Sequence, residues 1–150
     1  LSAARLLGAL ALVVGAGAWA TPMANAEPFF ANYKLVIPDR YDFHTWTWAV
    51  THCIPAEDGC VTISAIPQPI AKAFEYSGQA RLVDGRYTLT VDVPDGLRCG
   101  NVYYGPVIPT HDVYSWDATT LQGTLESSFA VGCDGAPGET FTYPISLIRW

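Results

Sequence analysis

Polar and apolar positions alternate most clearly between residues 74 and 93. Phe74, Tyr76, Gly78, Ala80 and Leu82 interleave with Glu75, Ser77, Gln79 and Arg81, which puts one apolar or small face opposite one polar face. Asp84-Gly85 follows. This pair suits a two-residue type I′ turn, because both residues tolerate positive φ. Tyr87, Leu89, Val91 and Val93 then interleave with Arg86, Thr88, Thr90 and Asp92. A turn at Asp84-Gly85 sets Leu82 opposite Tyr87, Ala80 opposite Leu89 and Gly78 opposite Val91, with both apolar faces on one side of a hairpin. Pattern and turn chemistry agree on a single register. A helix over residues 70–76, started by Pro69, competes for the first positions but leaves the later alternation unexplained.

The same period recurs along the chain. Residues 33–37 form a short apolar run, and Trp46, Trp48 and Val50 alternate with threonines over residues 45–52. Residues 61–66 suit a partner strand. Leu121 to Val131 alternates again, and Phe141, Tyr143, Ile145 and Leu147 close the series. β-Branched and aromatic residues fill these runs. Turn clusters separate them: Pro38-Asp39, Pro94-Asp95-Gly96, Gly105-Pro106 and residues 134–138. No stretch has helical periodicity. The expected fold is all-β, an antiparallel meander of seven to eight strands closing as a small barrel rather than packing as a sandwich. Stepping back in twos from Trp150 gives Ile148, Ser146, Pro144 and Thr142, which is not the lipid-facing row of an outer-membrane strand.

Residues 1–26 have a different character. They hold nine Ala, five Leu and a single charge, Arg5, and no polar residue interrupts the run 6–20. Fifteen residues are short of the roughly 20 that span a bilayer. The order of charge, apolar core and Ala24-Asn25-Ala26 reads as a secretory signal peptide cleaved before Glu27, leaving a single β domain over 27–150. Ala18-Trp19-Ala20 is an earlier alternative site. Removing the leader takes the net charge from −6 to −7 and leaves 18 aromatic residues in 124. So acidic a chain has no basic patch for nucleic acid.

Cysteine usage fits export. Cys53, Cys60, Cys99 and Cys133 are even in number, and structural disulfides are expected. Of the three possible pairings, Cys53–Cys60 with Cys99–Cys133 is preferred, because the first pair flanks the turn-rich residues 54–59. The chain-entropy model assigns about 2.5 kcal/mol to the short loop and about 4 kcal/mol to the long one. No Cys-x-x-Cys exists, and His44, His52 and His111 lack finger spacing, so no metal site is expected.

Residues that could carry chemistry are few. Thr110-His111-Asp112 sets a His beside an acid after Pro106 and Pro109, where a loop is expected; His111 and Asp112 are the only catalytic candidates. On a strand the two would point to opposite faces. Gly-x-Ser-x-Gly, Ser-x-x-Lys and Gly-rich phosphate loops are absent, and no cofactor is expected. Asp58, Asp84, Asp95 and Asp134 each precede Gly, which turn formation explains. The aromatic set is the most suggestive feature. Trp46, Trp48, Tyr103, Tyr104 and Trp116 are the candidate ligand-binding residues, with core packing as the competing role. Tyr103 and Tyr104 fall in an expected long connection between Pro94 and Asp112, where binding residues tend to sit.

The segments 85–91 (Gly-Arg-Tyr-Thr-Leu-Thr-Val), 95–99, 114–124 and 129–135, with Trp48, Cys53 and Cys60, resemble small exported mycobacterial and actinobacterial proteins. The resemblance implies export and a disulfide-stapled β domain. It brings no assigned activity and no functional residue. The expectation is therefore a secreted, non-enzymatic module binding an envelope component, a small apolar molecule or a protein. The alternative is a small exported hydrolase using His111 and a nearby acid or Ser.

Overall fold

The computed structural model describes residues 29–150; the expected leader and its cleavage site lie outside the described residues. Eight antiparallel strands form a closed barrel in simple sequential order. They are β1 (Asn32–Val36), β2 (Thr45–His52), β3 (Cys60–Gln68), β4 (Tyr76–Val83), β5 (Arg86–Arg98), β6 (Val107–Asp117), β7 (Gln122–Val131) and β8 (Pro137–Arg149). β8 returns to pair with β1, so no sheet edge is left open. Disulfides join Cys53 to Cys60 and Cys99 to Cys133.

The β4–β5 hairpin has the register set by its turn. Asp84 and Gly85 have φ of 50° and 78°, as a type I′ turn requires, and Leu82 lies opposite Tyr87. Its start differs from the expectation. A short 3₁₀ turn occupies Ile70–Lys72 after Pro69, the strand begins at Tyr76, and Phe74 stays exposed in the connection.

The larger correction concerns β5 and β6. Pro94-Asp95-Gly96 is not a turn and Pro106–Asp112 is not a loop. β5 runs on to Arg98, and β6 is a full strand paired with it. The register passes from Val93 opposite Thr110 to Leu97 opposite Ile108, so residues 94–96 face Pro109 alone. Such a bulge leaves residues out of the ladder, so both prolines can sit there without forfeiting a hydrogen bond. The prolines that imitate a loop in the sequence mark matching irregularities in two paired strands.

Each strand turns alternate residues inward. At the end bearing the β2–β3, β4–β5 and β6–β7 turns, that interior is solid. Trp48, Ile63, Leu89, Trp116 and Leu125 are fully buried. Trp48 meets Trp116 edge-on at 5.3 Å, and Phe29 stacks on Tyr33 at 4.2 Å beneath them. Burying such side chains contributes about 1.5–3 kcal/mol each, and aromatic pairs add about 0.5–1.5 kcal/mol. An eight-stranded barrel has an interior just wide enough to be filled this way or to hold one small ligand.

Candidate functional site

Toward the other end the inward residues change character. Along β6 the inward row reads Trp116, Tyr114, Asp112, Thr110, passing from apolar to polar within one strand. β7 contributes Ser127, directly opposite Asp112, and its hydroxyl donates to Asp112 Oδ1 at 2.6 Å. β5 contributes Asp95 from the bulge. Gly96 next to it is pressed against Thr110, and any Cβ there would overlap the Thr110 hydroxyl, so only glycine permits this turn of the chain. Asp95 continues the inward alternation of Leu89, Val91 and Val93, so a carboxylate enters the barrel where the bulge begins.

Two arginines complete the mouth. Arg98 reaches Asp95 Oδ2 at 3.3 Å and donates to the carbonyls of Tyr103 at 2.7 Å and Lys72 at 2.9 Å. The backbone N–H of Phe74 also donates to Asp95 Oδ2, at 3.3 Å. Arg98 therefore ties the β3–β4 connection to the β5–β6 loop, with the Tyr103 ring 5.4 Å from its guanidinium. Arg40 comes from the β1–β2 connection, residues 37–44. Its Nε and Nη2 donate to Asp42 Oδ2 at 3.1 and 2.9 Å, and it lies over the Tyr143 ring at 5.9 Å. Burial works against the Arg40 charge, but the Asp42 carboxylate beside it favours the charged form, and the net shift of its pKa is upward.

Between these groups is a cavity of about 310 Å³, walled by Phe129, Phe141 and Tyr143 and edged by Arg40, Asp42, His44, Asp95, Arg98, Thr110 and Ser127. A void of about 20 Å³ lies deeper, bounded by Trp46, Tyr76, Asp112 and Tyr114. Below it Trp48 Nε1 donates to Tyr76 Oη, which donates to Tyr114 Oη, each at 3.0 Å. Burial raises the pKa of both tyrosines, so they stay neutral. It also raises that of Asp112, against the opposing bond from Ser127 and the pull of the nearby Thr110 hydroxyl, which lies outside good hydrogen-bond geometry.

Not every buried polar atom is satisfied. Thr110 Oγ1, both ring nitrogens of His44 and Trp46 Nε1 have no hydrogen-bond partner, and Thr110 and Trp46 are each only 4% exposed. A buried group left this way costs about 1–3 kcal/mol. Native proteins rarely tolerate that cost without cause. All three residues border the cavity or the void beneath it; Trp116 Nε1 is the remaining case and lies in the aromatic core.

The residues singled out in the sequence are dispersed. Trp48 and Trp116 are core residues of the solid end. Trp46 lies at the deeper void. Tyr103 packs under Arg98 and donates its hydroxyl to the Ala71 carbonyl at 3.0 Å, while Tyr104 is 93% exposed beside it. His111 and Asp112 do not meet. They are neighbours on a strand, so Asp112 points inward to Ser127 and His111 points outward, its Nδ1 2.8 Å from Asp92 Oδ1. On the outer face Asp92, His111 and Ser128 lie in one cross-strand row, although the Ser128 hydroxyl donates to the His111 carbonyl at 3.3 Å.

Sequence reasoning missed Arg40, Asp42, Asp95, Arg98, Thr110 and Ser127. One signal was there to find: Pro94 and Pro109 interrupt two otherwise alternating runs, with an acid beside the first. Among the described residues, no three His, Cys, Asp or Glu side chains gather to hold a metal ion. No protein-family model, curated protein or solved structure matches the chain.

Proposed function

We propose that this chain is an exported, non-enzymatic binding module that takes a small polar ligand into the mouth of its barrel. One observation carries the reading: buried hydroxyl, imidazole and indole groups without partners border a cavity large enough for a ligand. Small-molecule sites combine a concave apolar wall with a few converging polar groups, and Phe129, Phe141 and Tyr143 supply the wall. An apolar ligand would leave those polar groups unpartnered, so the polar class is preferred. Export is supported by the leader-like residues 1–26 and by two disulfides, which persist in oxidising compartments. The resemblance to small exported mycobacterial proteins supports a ligand drawn from the components of a cell envelope. Native mass spectrometry of the protein isolated from its producing organism is expected to show a bound small molecule. Protein free of any adduct would argue against the reading.

A second reading, an exported hydrolase, draws on the row Asp92–His111–Ser128, in which an acid orients an imidazole next to a hydroxyl. The row lies on an open outer face, and Ser128 donates to a backbone carbonyl rather than to the ring. A broad ester and peptide screen in which His111→Ala abolished an activity of the parent protein would reverse the order of the two readings.

A further inference from the structure

The balance of charge and the shape of the mouth narrow the ligand class, on the footing that the mouth is a binding site. Both guanidiniums are already closed by carboxylates, Arg40 by Asp42 and Arg98 by Asp95. An anionic ligand would have to compete with Asp for Arg, and a cationic ligand with Arg for Asp. An anionic ligand finds no uncompensated partner, and a cationic one finds only Asp39, which is exposed to solvent at the rim and so attracts a cation weakly. What the mouth does offer is donors and acceptors in alternation: the Thr110 hydroxyl gives one of each, and a neutral His44 ring gives another pair. A matching ligand is neutral and both donates and accepts at short intervals.

The wall supplies a second constraint. Phe129 and Phe141 are tilted by 56°, and Phe141 and Tyr143 by 58°. Rings so inclined form no parallel slot for a flat heterocycle. Each still presents a face to a ligand with one apolar side. The cavity, about 310 Å³, is at the lower limit of roughly 300–1,000 Å³ for small-molecule sites. It has room for one ring rather than a chain.

We propose that the barrel mouth holds a single neutral saccharide ring, its hydroxyls bonded to Thr110, His44 and the two Arg–Asp pairs and its C–H face set against the aromatic wall. Hydroxyl groups donate and accept at once, as the lining demands, and the C–H face of a sugar needs only one aromatic partner.

The test is a ¹H–¹⁵N titration of the intact protein with neutral hexoses and pentoses, alongside glucosamine, glucuronate, inorganic phosphate and adenosine. A neutral sugar is expected to shift the Trp46 indole N–H and the Thr110 amide saturably, and its charged counterparts to bind about tenfold more weakly or worse, the equivalent of one lost hydrogen bond. Thr110→Val should weaken the sugar by about tenfold while the protein stays folded. Thr110→Ser should restore binding, and Tyr104→Ala should leave it unchanged. Tighter binding of glucosamine, glucuronate, phosphate or adenosine to the same resonances would overturn the saccharide class and leave the mouth a binding site. If no sugar shifts either resonance, the saccharide class also falls; the mouth as a site is then judged separately, by the bound molecule in native mass spectrometry.

Discussion

The same eight strands build two unlike ends. At the turn end, Trp48, Trp116, Leu89 and Leu125 fill the barrel, and Phe29 stacks beneath them. At the mouth, two to six residues further along those strands, the inward positions are Asp95, Thr110, Asp112 and Ser127 around open space. The solid end is held by non-directional burial, which tolerates any well-packed arrangement of large side chains. The mouth is held by hydrogen bonds and ion pairs, where one missing partner strands a buried polar group. One end can therefore secure the fold while the other spends stability on unsatisfied groups, as binding sites commonly do.

The hardest blow to this division is aimed at the solid end. Trp48 is fully buried and bonded to Tyr76. Trp48→Ala is expected to cost about 3–5 kcal/mol, by lost burial and the cavity left behind. Urea unfolding measures it. A loss below about 1 kcal/mol, the scale of an exposed or adaptable site, would mean that the aromatic core does not bear the stability assigned to it.

The mouth disulfide comes next. Cys99 and Cys133 are 34 residues apart and join the β5–β6 loop to the β7–β8 turn. Replacing both by Ala should cost about 3–4 kcal/mol, through greater freedom of the unfolded chain. Because that effect acts on the unfolded state, the amides that exchange only through global unfolding should lose protection at both ends of the barrel alike. Protection lost only in the mouth loops would show that the two ends open independently.

Arg98 tests the mouth's ion pairs directly. Asp95 is buried, and Arg98 is its only cationic partner among the described ion pairs. Arg98→Met leaves the carboxylate uncompensated and is expected to cost about 3 kcal/mol, the lower end for a broken buried pair because Arg98 keeps some solvent contact. Adding Asp95→Asn should recover part of that loss. If the double variant is no better than the single one, the arginine acts through its bonds to Tyr103 and Lys72 rather than through charge.

The two ends also differ in how far the sequence announces them. Alternation and the Asp84-Gly85 turn specify the β4–β5 hairpin because side-chain period and turn chemistry are local properties. The disulfide pairing and the closed barrel followed from local cues of the same kind. The mouth depends on a bulge that aligns Pro94 with Pro109 across two strands, a non-local match that each strand alone displays as a break. Arg40 and Arg98 acquire meaning only once Asp42 and Asp95 are placed beside them in a buried setting. Trp48 and Trp116 stand out in the sequence as aromatic residues, yet whether an inward aromatic lines a cavity or fills the core depends on its height along the barrel. Composition does not carry that coordinate.

The smallest expected effect is the most specific to the mouth. Burial lowers the His44 pKa below its ordinary 6.5, while the flanking Asp42 and Arg40, and Asp95 and Arg98, act in opposite directions. His44 in the unfolded chain takes up a proton near pH 6.5 and in the folded chain only at lower pH. The unfolded state therefore binds more protons below pH 6.5, and stability should fall as the solution is acidified through that range. Asp112 works the other way. Its raised pKa makes the folded state the better proton binder above 3.8, so acidification gains stability there. Urea midpoints between pH 7.5 and 5.5 should decline in the parent protein. His44→Phe should flatten the decline. A parent profile that rises on acidification, or one that His44→Phe leaves unchanged, would mean that the imidazole is as well solvated at the mouth as in the unfolded chain. In that case the cavity is wetter and less selective than its unpartnered nitrogens imply.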